Sequence, residues 1–222
     1  MTTGAGLRGE IAEAAQVLAR LGLVTSFGHV SARAGTAMLI TPAADLATVT
    51  EASLVEVPLT ATALSSAALP PDAPAEAWAH LALYQARPDA AAIARAQPSS
   101  AFAAAAVTSE LVPLHGQAAW LGESVPVHGS ARLLRSAALA EQAARSLPAG
   151  EALLLRGNGA LTLGDTPGLA VTRMWLLAAA CEVHLAARAA GPVTPLTADE
   201  IAAWRAAGDG LLPRIWQHLR HR

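Results

Sequence analysis

Residues 75–97 read AEAWAHLALYQARPDAAAIARAQ, and this stretch decides the fold. Its first part, 76–87, favours a helix that ends at Pro88, because a proline pushes the preceding residue out of helical conformation. The AAIARAQ segment that follows is a short apolar run, which is typical of a strand buried in a sheet. Side chains alternate along a strand, so Arg95 and Gln97 share one face of it. The stretch therefore predicts a helix that leads into a central strand with an arginine and an amide near its end.

Further elements are predicted on both sides of this stretch. They are a helix in 9–25, a β-hairpin in 26–42, a strand in 54–59, an exposed loop in 61–75, a short helix in 100–107, a hairpin in 151–164, a helix from Pro167 to Ala190 and an amphipathic helical tail after it. Thr166 is a good N-cap for the helix that starts at Pro167. Strands and helices mix without strict alternation, which favours one α/β domain with a mixed or antiparallel sheet.

The composition excludes several classes of protein. The formal charge is −2 and the sequence has no long basic run, so it lacks the electrostatic footprint of a nucleic-acid-binding protein. Charged residues interrupt the apolar segment 169–190, which argues against a membrane span. Residues 1–25 lack the pattern of a signal peptide. The single Cys181 fits a reducing compartment. We therefore expect a soluble, cytoplasmic protein with neither nucleic-acid nor membrane partners.

Several ordered segments resemble the class II aldolase/adducin family, whose best-known members are zinc-dependent sugar-phosphate aldolases. The segments are TSFGHVSAR (25–33), MLITP (38–42), AEAWAHLALYQARPDAAAI (75–93) and ALLLRGNGALTLGDTP (152–167). The resemblance implies one α/β/α domain over 1–190 with a central, mainly antiparallel sheet flanked by helices. Residues 191–222 would be a helical tail packed on that domain or extending it. It also implies a homo-oligomer, with a tetramer favoured.

The family's zinc ligands are replaced in this sequence. The resemblance aligns the family's His-x-His pair with Arg95 and Gln97, and its third histidine with Asn158. An arginine stays protonated and has no lone pair to give a metal. Amide oxygens suit hard cations and hold zinc poorly compared with imidazole. We therefore expect no zinc cofactor and no metal ligands at these positions.

The phosphate-binding pattern of the family is also altered. The resemblance places the family's phosphate-binding Asn, Thr-Gly and Ser-Ser groups at His29, at Pro-Ala-Ala (42–44) and at Pro-Ala (74–75). Apolar groups have thus replaced hydroxyl groups and a glycine. Ser26 and His29 remain candidates to contact an anionic substrate, but a sugar phosphate held in the usual manner is not expected.

Glu76 falls at the place of the family's catalytic glutamate. It could be an acid/base, or simply a carboxylate that is favourable at a helix N-terminus. Arg95 could pair with Glu76 or offer its guanidinium to a ligand. His80, one turn further along, could be a proton shuttle, a ligand contact or a hydrogen-bonded helix histidine. A replacement metal site from Glu76, His80, His115 and His128 is a further alternative.

Three functions follow as hypotheses. The first is a divergent lyase-like enzyme that acts without zinc on a small carbonyl or carboxylate compound, with Glu76 as acid/base. Arg95, Gln97 and Asn158 would stabilise developing negative charge. The second is a non-catalytic binding or assembly module, and the third is an ordinary zinc aldolase, which the three replacements disfavour. A fold alone does not decide among them.

Overall fold

The sheet of the protein is built outward from the predicted central strand. A computed structural model describes residues 4–59 and 69–222. Its strands are β1 (His29–Ala34), β2 (Ala37–Ile40), β3 (Val55–Pro58), β4 (Ala92–Ala96), β5 (Glu110–Leu111), β6 (Val125–His128), β7 (Ala152–Leu155) and β8 (Gly159–Gly164). In the described part of the chain these form one sheet in the order β3-β2-β1-β4-β8-β7-β6-β5. Every neighbouring pair is antiparallel except β6 and β7, which run parallel.

Helices cover both faces of this sheet. They are α1 (Gly4–Arg20), α2 (Ala77–Ala86), α3 (Ser99–Val107), α4 (Ala137–Ala144), α5 (Pro167–Ala190), α6 (Ala198–Ala206) and α7 (Gly208–Leu219). Alternation along β4 separates two hydrophobic cores. Ala92, Ala94 and Ala96 pack with α1, α3 and α5, whereas Ile93 packs with α2 and α4. The α/β/α arrangement and the mainly antiparallel sheet are therefore confirmed.

Helix α5 is the central helix of one layer. By length and composition alone it could cross a membrane, but 56% of its most apolar 18-residue window is buried inside the protein. It packs on β8, β4 and α3, as the core helix of a folded domain does. Its N-terminus is capped as predicted, since the Thr166 hydroxyl accepts a hydrogen bond from the Leu169 amide.

Most predicted elements form within a few residues of their expected bounds. The predicted tail consists of two helices, α6 and α7, which are separated at Ala207, whereas Gly210 and Pro213 lie within α7. Strands β5 and β6 and helix α4 were not predicted, since each is short and their segment lacks a clear period. The predicted loop 61–75 is described only from residue 69, and its earlier part lies outside the described residues.

Candidate active site

Two neighbouring strands bring His29 and Arg95 side by side. Strand β1 pairs antiparallel with β4, and His29 lies directly opposite Arg95 in the register. His29 is 4% exposed and Arg95 is 2% exposed. Arg95 follows Ile93 by two residues, so its side chain belongs to the face of β4 that α2 and α4 cover. The structure therefore places this arginine in the protein interior, close to the start of α2.

The direct partner of Arg95 is Asn158, not Glu76. One terminal nitrogen of Arg95 donates a 2.7 Å hydrogen bond to Asn158 Oδ1. Asn158 lies in the tight turn between β7 and β8, where its backbone N–H donates a hydrogen bond to the Leu155 carbonyl. No partner within the described ranges contacts Arg95 Nε, its other terminal nitrogen or Asn158 Nδ2. Of the two alternatives for Arg95, the direct ion pair with Glu76 does not form, and a hydrogen bond to the Asn158 amide takes its place.

Glu76 immediately precedes helix α2 and faces two basic groups. Glu76 occupies the N-cap position of α2, but its side chain makes no capping hydrogen bond. Instead Arg135 Nε donates to Glu76 Oε1 at 2.9 Å, and His29 Nε2 lies 3.9 Å from Oε2. Burial opposes ionisation of Glu76, but the hydrogen bond from Arg135 and the charge of Arg95 outweigh it, so its pKa is lowered. Glu76 is therefore a carboxylate at neutral pH.

His80 takes the arrangement of a hydrogen-bonded helix histidine. Its Nδ1 is 2.7 Å from Ser31 Oγ, which is 2.9 Å from the Tyr84 hydroxyl. The His80 ring meets His29 edge to face, with ring centres 6.3 Å apart. Burial, aided by the charge of Arg95, lowers the pKa of His29 to about 4 and holds the pKa of His80 well below its ordinary value. Both rings are therefore neutral at physiological pH.

A cavity of about 400 Å³ opens beside Glu76. It is lined by Ser26, Phe27, Gly28, His29, Ala43, Ala44, Asp45, Ala75, Glu76 and Arg135. Of the predicted site residues, Ser26, His29 and Glu76 reach it. Arg95, Gln97, Asn158 and His80 do not line it, so only three of the seven candidate site residues meet at this cavity.

A second cavity of about 730 Å³ lies next to the first and shares Ser26, Gly28 and Asp45 with it. Its lining includes Gln16 and Arg20 but neither Glu76 nor His29. The larger cavity therefore lacks the carboxylate and the histidine, and the chemistry is concentrated in the smaller one. Gln97 is half-buried and packs at the turn near Gly159, away from both cavities.

Two histidines that do not line the cavity are buried. His184 is 3% exposed on α5, because the inner side of that helix is buried. His128 contacts Ser146 through Nδ1 at 3.0 Å rather than joining Glu76 and His80. In residues 4–59 and 69–222 no group of three or more His, Cys, Asp or Glu side chains could hold a metal ion.

The side chains at the family's ligand positions do not fit zinc. A protonated guanidinium donates to the Asn158 amide oxygen, and that oxygen is the only donor atom Asn158 could give a metal. A cation already bound to that atom would repel a second cation placed there. Arg95, Gln97 and Asn158 thus supply no imidazole and two amide oxygens, one of them occupied by Arg95, which is the wrong donor set for Zn²⁺.

Arg135 is the site residue that the sequence did not reveal. It lies on the loop before α4, 59 residues from Glu76, and belongs to no motif. Only the packing of α4 against α2 brings the two together. The one local signal is Ser136, a residue type favoured at helix N-caps, which places Arg135 just outside a helix.

Comparison with known proteins places the fold. A family model for the Class II Aldolase and Adducin N-terminal domain matches residues 9–185. Among curated proteins, none matches the chain significantly. The structure of L-fuculose 1-phosphate aldolase from Glaciozyma antarctica is 21% identical, with a TM-score of 0.79, over 98% of this chain and 89% of that one.

Two further solved structures have the same fold. The l-fuculose-1-phosphate aldolase from Thermus thermophilus is 28% identical, with a TM-score of 0.74, over 85% of this chain and 98% of that one. An aldolase II superfamily protein from Pseudomonas syringae is 21% identical, with a TM-score of 0.79, over 99% of this chain and 92% of that one. With a family model that spans most of its length and neighbours that share its fold, the chain belongs to the class II aldolase and adducin family.

Proposed function

We propose that the protein is a lyase-like enzyme that forms an enolate from a small carbonyl or carboxylate compound without zinc. The observation that carries the proposal is an ionised Glu76 at a small, mainly apolar cavity, within 2.9 Å of Arg135 and 3.9 Å of His29. A carboxylate held between cationic and neutral donors can accept a proton and return it. The family resemblance and the cavity point to the same residue, since Glu76 aligns with the family's catalytic glutamate and lines the cavity.

The chemistry begins with Glu76 as the base. Glu76 accepts a proton from the carbon next to the substrate carbonyl, and the C–H electron pair forms the enolate C=C bond while the carbonyl π pair moves to oxygen. In an aldol cleavage Glu76 would instead accept the proton of the β-hydroxyl, and the carbon–carbon bond would supply the electrons. The protonated Glu76 then returns its proton to the enolate carbon.

Negative charge on the enolate oxygen is stabilised by the positive field of the site. Arg135 lines the cavity, and Arg95 lies behind it at the level of His29. Arg95 makes no ion pair with Glu76 within 4.0 Å, so it acts through its charge rather than by contact. In a site with little water, such a preorganised charge can be worth several kcal/mol, on the order of 3. Asn158 then holds Arg95 through its hydrogen bond, and Gln97 packs at the adjoining turn, so neither touches substrate.

The second candidate is a non-catalytic binding or assembly module. It is favoured by one observation, the enclosure of Arg95 and Asn158 away from the cavity. If the cavity only binds a ligand, Glu76 and Arg135 would form a structural ion pair at its edge. The two candidates differ in whether a bound carbonyl compound exchanges protons.

Proton exchange tests the proposed enzyme. The protein is incubated in D₂O with hydroxyacetone and with pyruvate, and ¹H NMR follows loss of the protons next to each carbonyl. We expect faster exchange that survives dialysis against EDTA and falls at least about 100-fold in Glu76→Gln. The exposed Glu56→Gln on β3 is the matched control. Exchange no faster than with Glu76→Gln for either compound would support the binding module instead.

The family resemblance and the composition extend this proposal to the setting of the protein. We propose a cytoplasmic homo-oligomer, with a tetramer favoured, that binds neither nucleic acid nor membranes. Light scattering after size-exclusion chromatography measures the mass against the 22.5 kDa chain. A mass of one chain at micromolar concentration would contradict the oligomer.

A further inference from the structure

Arg135 has unused hydrogen-bonding capacity at the cavity. A guanidinium has five N–H donors arranged as a planar fork. Arg135 uses Nε for Glu76, and its two terminal nitrogens contact no side chain or carbonyl in residues 4–59 and 69–222. Its side chain is 52% exposed, so these donors are open to an entering molecule. A ligand can thus reach the fork without displacing the ion pair first.

The rest of the lining favours a small ligand with one charged group. Ala43, Ala44, Ala75 and Phe27 supply apolar walls, and Ser26 supplies a hydroxyl. A volume of about 400 Å³ is near the lower limit of ligand pockets, which run from about 300 to 1,000 Å³. The pocket therefore suits a compound of a few carbon atoms.

The charges of the lining favour a carboxylate over a phosphate. Two carboxyl side chains, Glu76 and Asp45, line the cavity together with a single arginine. A phosphate dianion would meet two like charges with one cation to balance them, whereas a carboxylate brings half that charge. A carboxylate also matches the paired terminal nitrogens of a guanidinium with two parallel hydrogen bonds.

We infer that Arg135 binds the carboxylate of a short monocarboxylate substrate and so determines the specificity of the site. This inference rests on the proposed function, because it names the substrate class of the same cavity. A carboxylate on the fork lies close to Glu76 and competes for the same cation. Binding thus weakens the hold of Arg135 on Glu76, and the loss of that partner makes Glu76 a stronger base in the complex.

Calorimetric titration with pyruvate and with its neutral amide, pyruvamide, tests the inference. Wild-type protein should bind pyruvate at least tenfold more tightly than pyruvamide. Arg135→Gln should remove that preference, and Arg135→Lys should retain part of it, since lysine keeps the charge but loses the fork. Arg132→Gln, on the same exposed loop and without a side-chain bond to Glu76, should leave binding unchanged.

The Glu76→Gln variant should change the affinity for pyruvate in the opposite direction to Arg135→Gln. Removing its charge frees the fork and ends a repulsion, so pyruvate should bind several-fold more tightly to this variant. A merely structural ion pair would give no gain. Equal affinity for pyruvate and pyruvamide, unchanged pyruvate binding in Arg135→Gln, or tighter binding of inorganic phosphate than of pyruvate would each overturn the inference.

The inference and the proposed function fail in different ways. If pyruvate binds through Arg135 but neither pyruvate nor hydroxyacetone exchanges protons in D₂O, the carboxylate site stands and the lyase chemistry does not. If hydroxyacetone exchanges its protons and pyruvate neither binds nor exchanges, the lyase chemistry stands and the assignment of Arg135 is wrong.

Discussion

Arg95 and Asn158 are joined by one hydrogen bond of 2.7 Å, and the remaining donors of both buried side chains face no partner in the described part of the chain. A buried cation with so few partners destabilises a fold, and burial accordingly lowers the pKa of Arg95. This relationship is the basis of the first two predictions.

Replacing both groups by apolar ones should stabilise the protein. We expect Arg95→Met combined with Asn158→Leu to raise the free energy of unfolding by about 1–3 kcal/mol, because the uncompensated charge and amide disappear together. Urea denaturation measures the change. The same variant should exchange protons more slowly than wild type, since Arg95 no longer contributes its charge to the field at the cavity. A destabilised double variant would mean that Arg95 is a structural residue.

Restoring imidazoles should restore a metal site. The triple variant Arg95→His, Gln97→His and Asn158→His places histidines at all three positions that the family uses for zinc. We expect wild-type protein to purify with far less than one zinc per chain, and the triple variant to approach one, because imidazole nitrogen is a much better zinc donor. Metal analysis by mass spectrometry gives the ratio. A wild-type chain with one tightly held zinc would refute the metal-free proposal.

Glu76→Gln should separate activity from stability. The Glu76–Arg135 ion pair is half-exposed on the arginine side, and such pairs contribute about 1 kcal/mol or less. We therefore expect the free energy of unfolding to change by no more than about 1 kcal/mol, while proton exchange falls at least about 100-fold. Chemical denaturation and NMR exchange on the same preparation check both. Loss of folding together with exchange would leave Glu76 without a specific role in the reaction.

Acid should destabilise the protein through His29. Its pKa in the folded state is about 4, against 6.5 for an unperturbed histidine, because burial and Arg95 disfavour the charged ring. Below pH 6.5 the unfolded chain takes up a proton that the folded chain refuses, so stability falls as the pH falls towards 4. Between about pH 7.5 and about pH 5 we expect His29 to account for on the order of 2 kcal/mol.

Comparing His29→Gln with the exposed His221→Gln in urea at these two pH values isolates the contribution. The first variant should lose about 2 kcal/mol less than wild type on acidification, and the second should behave as wild type. Equal losses in all three proteins would show that His29 is charged in the folded state.

Gly159 should be intolerant of any side chain. It has a φ of +85°, and a Cβ there would overlap the Ala96 carbonyl oxygen and come within 3.0 Å of Gln97 Cα. We expect Gly159→Ala to cost about 3 kcal/mol, from backbone strain and overpacking. Gly35→Ala is the control, since its φ is +63° with nothing within 4 Å, and it should cost about 1 kcal/mol. Thermal or urea unfolding distinguishes the two.

Local patterns predicted the framework of the site better than its contacts. The residues of β1 and β4 could be assigned to strands from alternation and apolar runs, and the family resemblance placed Glu76 before α2. Neither source indicates that the His29 and Arg95 positions face one another, because register depends on how strands pair. For the same reason, the sequence could not decide whether Arg95 pairs with Glu76.

Arg135 lay beyond prediction for a different reason. A contact between residues 76 and 135 depends on the docking of α4 against α2, which is a tertiary event with no local signal. The loop before α4 has no period, and an exposed arginine there looks like any solvated charge. The burial of Arg95 could not be predicted either, since the sequence shows on which face of a strand a side chain lies but not how deeply other elements bury it.

The two tryptophans of the C-terminal helices fill space that two glycines leave open. Any side chain at Gly116 would overlap the Trp204 ring on α6, and any at Gly168 would overlap the Trp216 ring on α7. Trp120 also donates a hydrogen bond of 2.6 Å to the Trp204 carbonyl. A fragment that ends where the family match ends, at residue 185, would thus lack both tryptophans and leave the space beside Gly116 and Gly168 unfilled. The useful unit for expression, and for transplanting this fold into chimaeras, therefore runs through Leu219 at the end of α7.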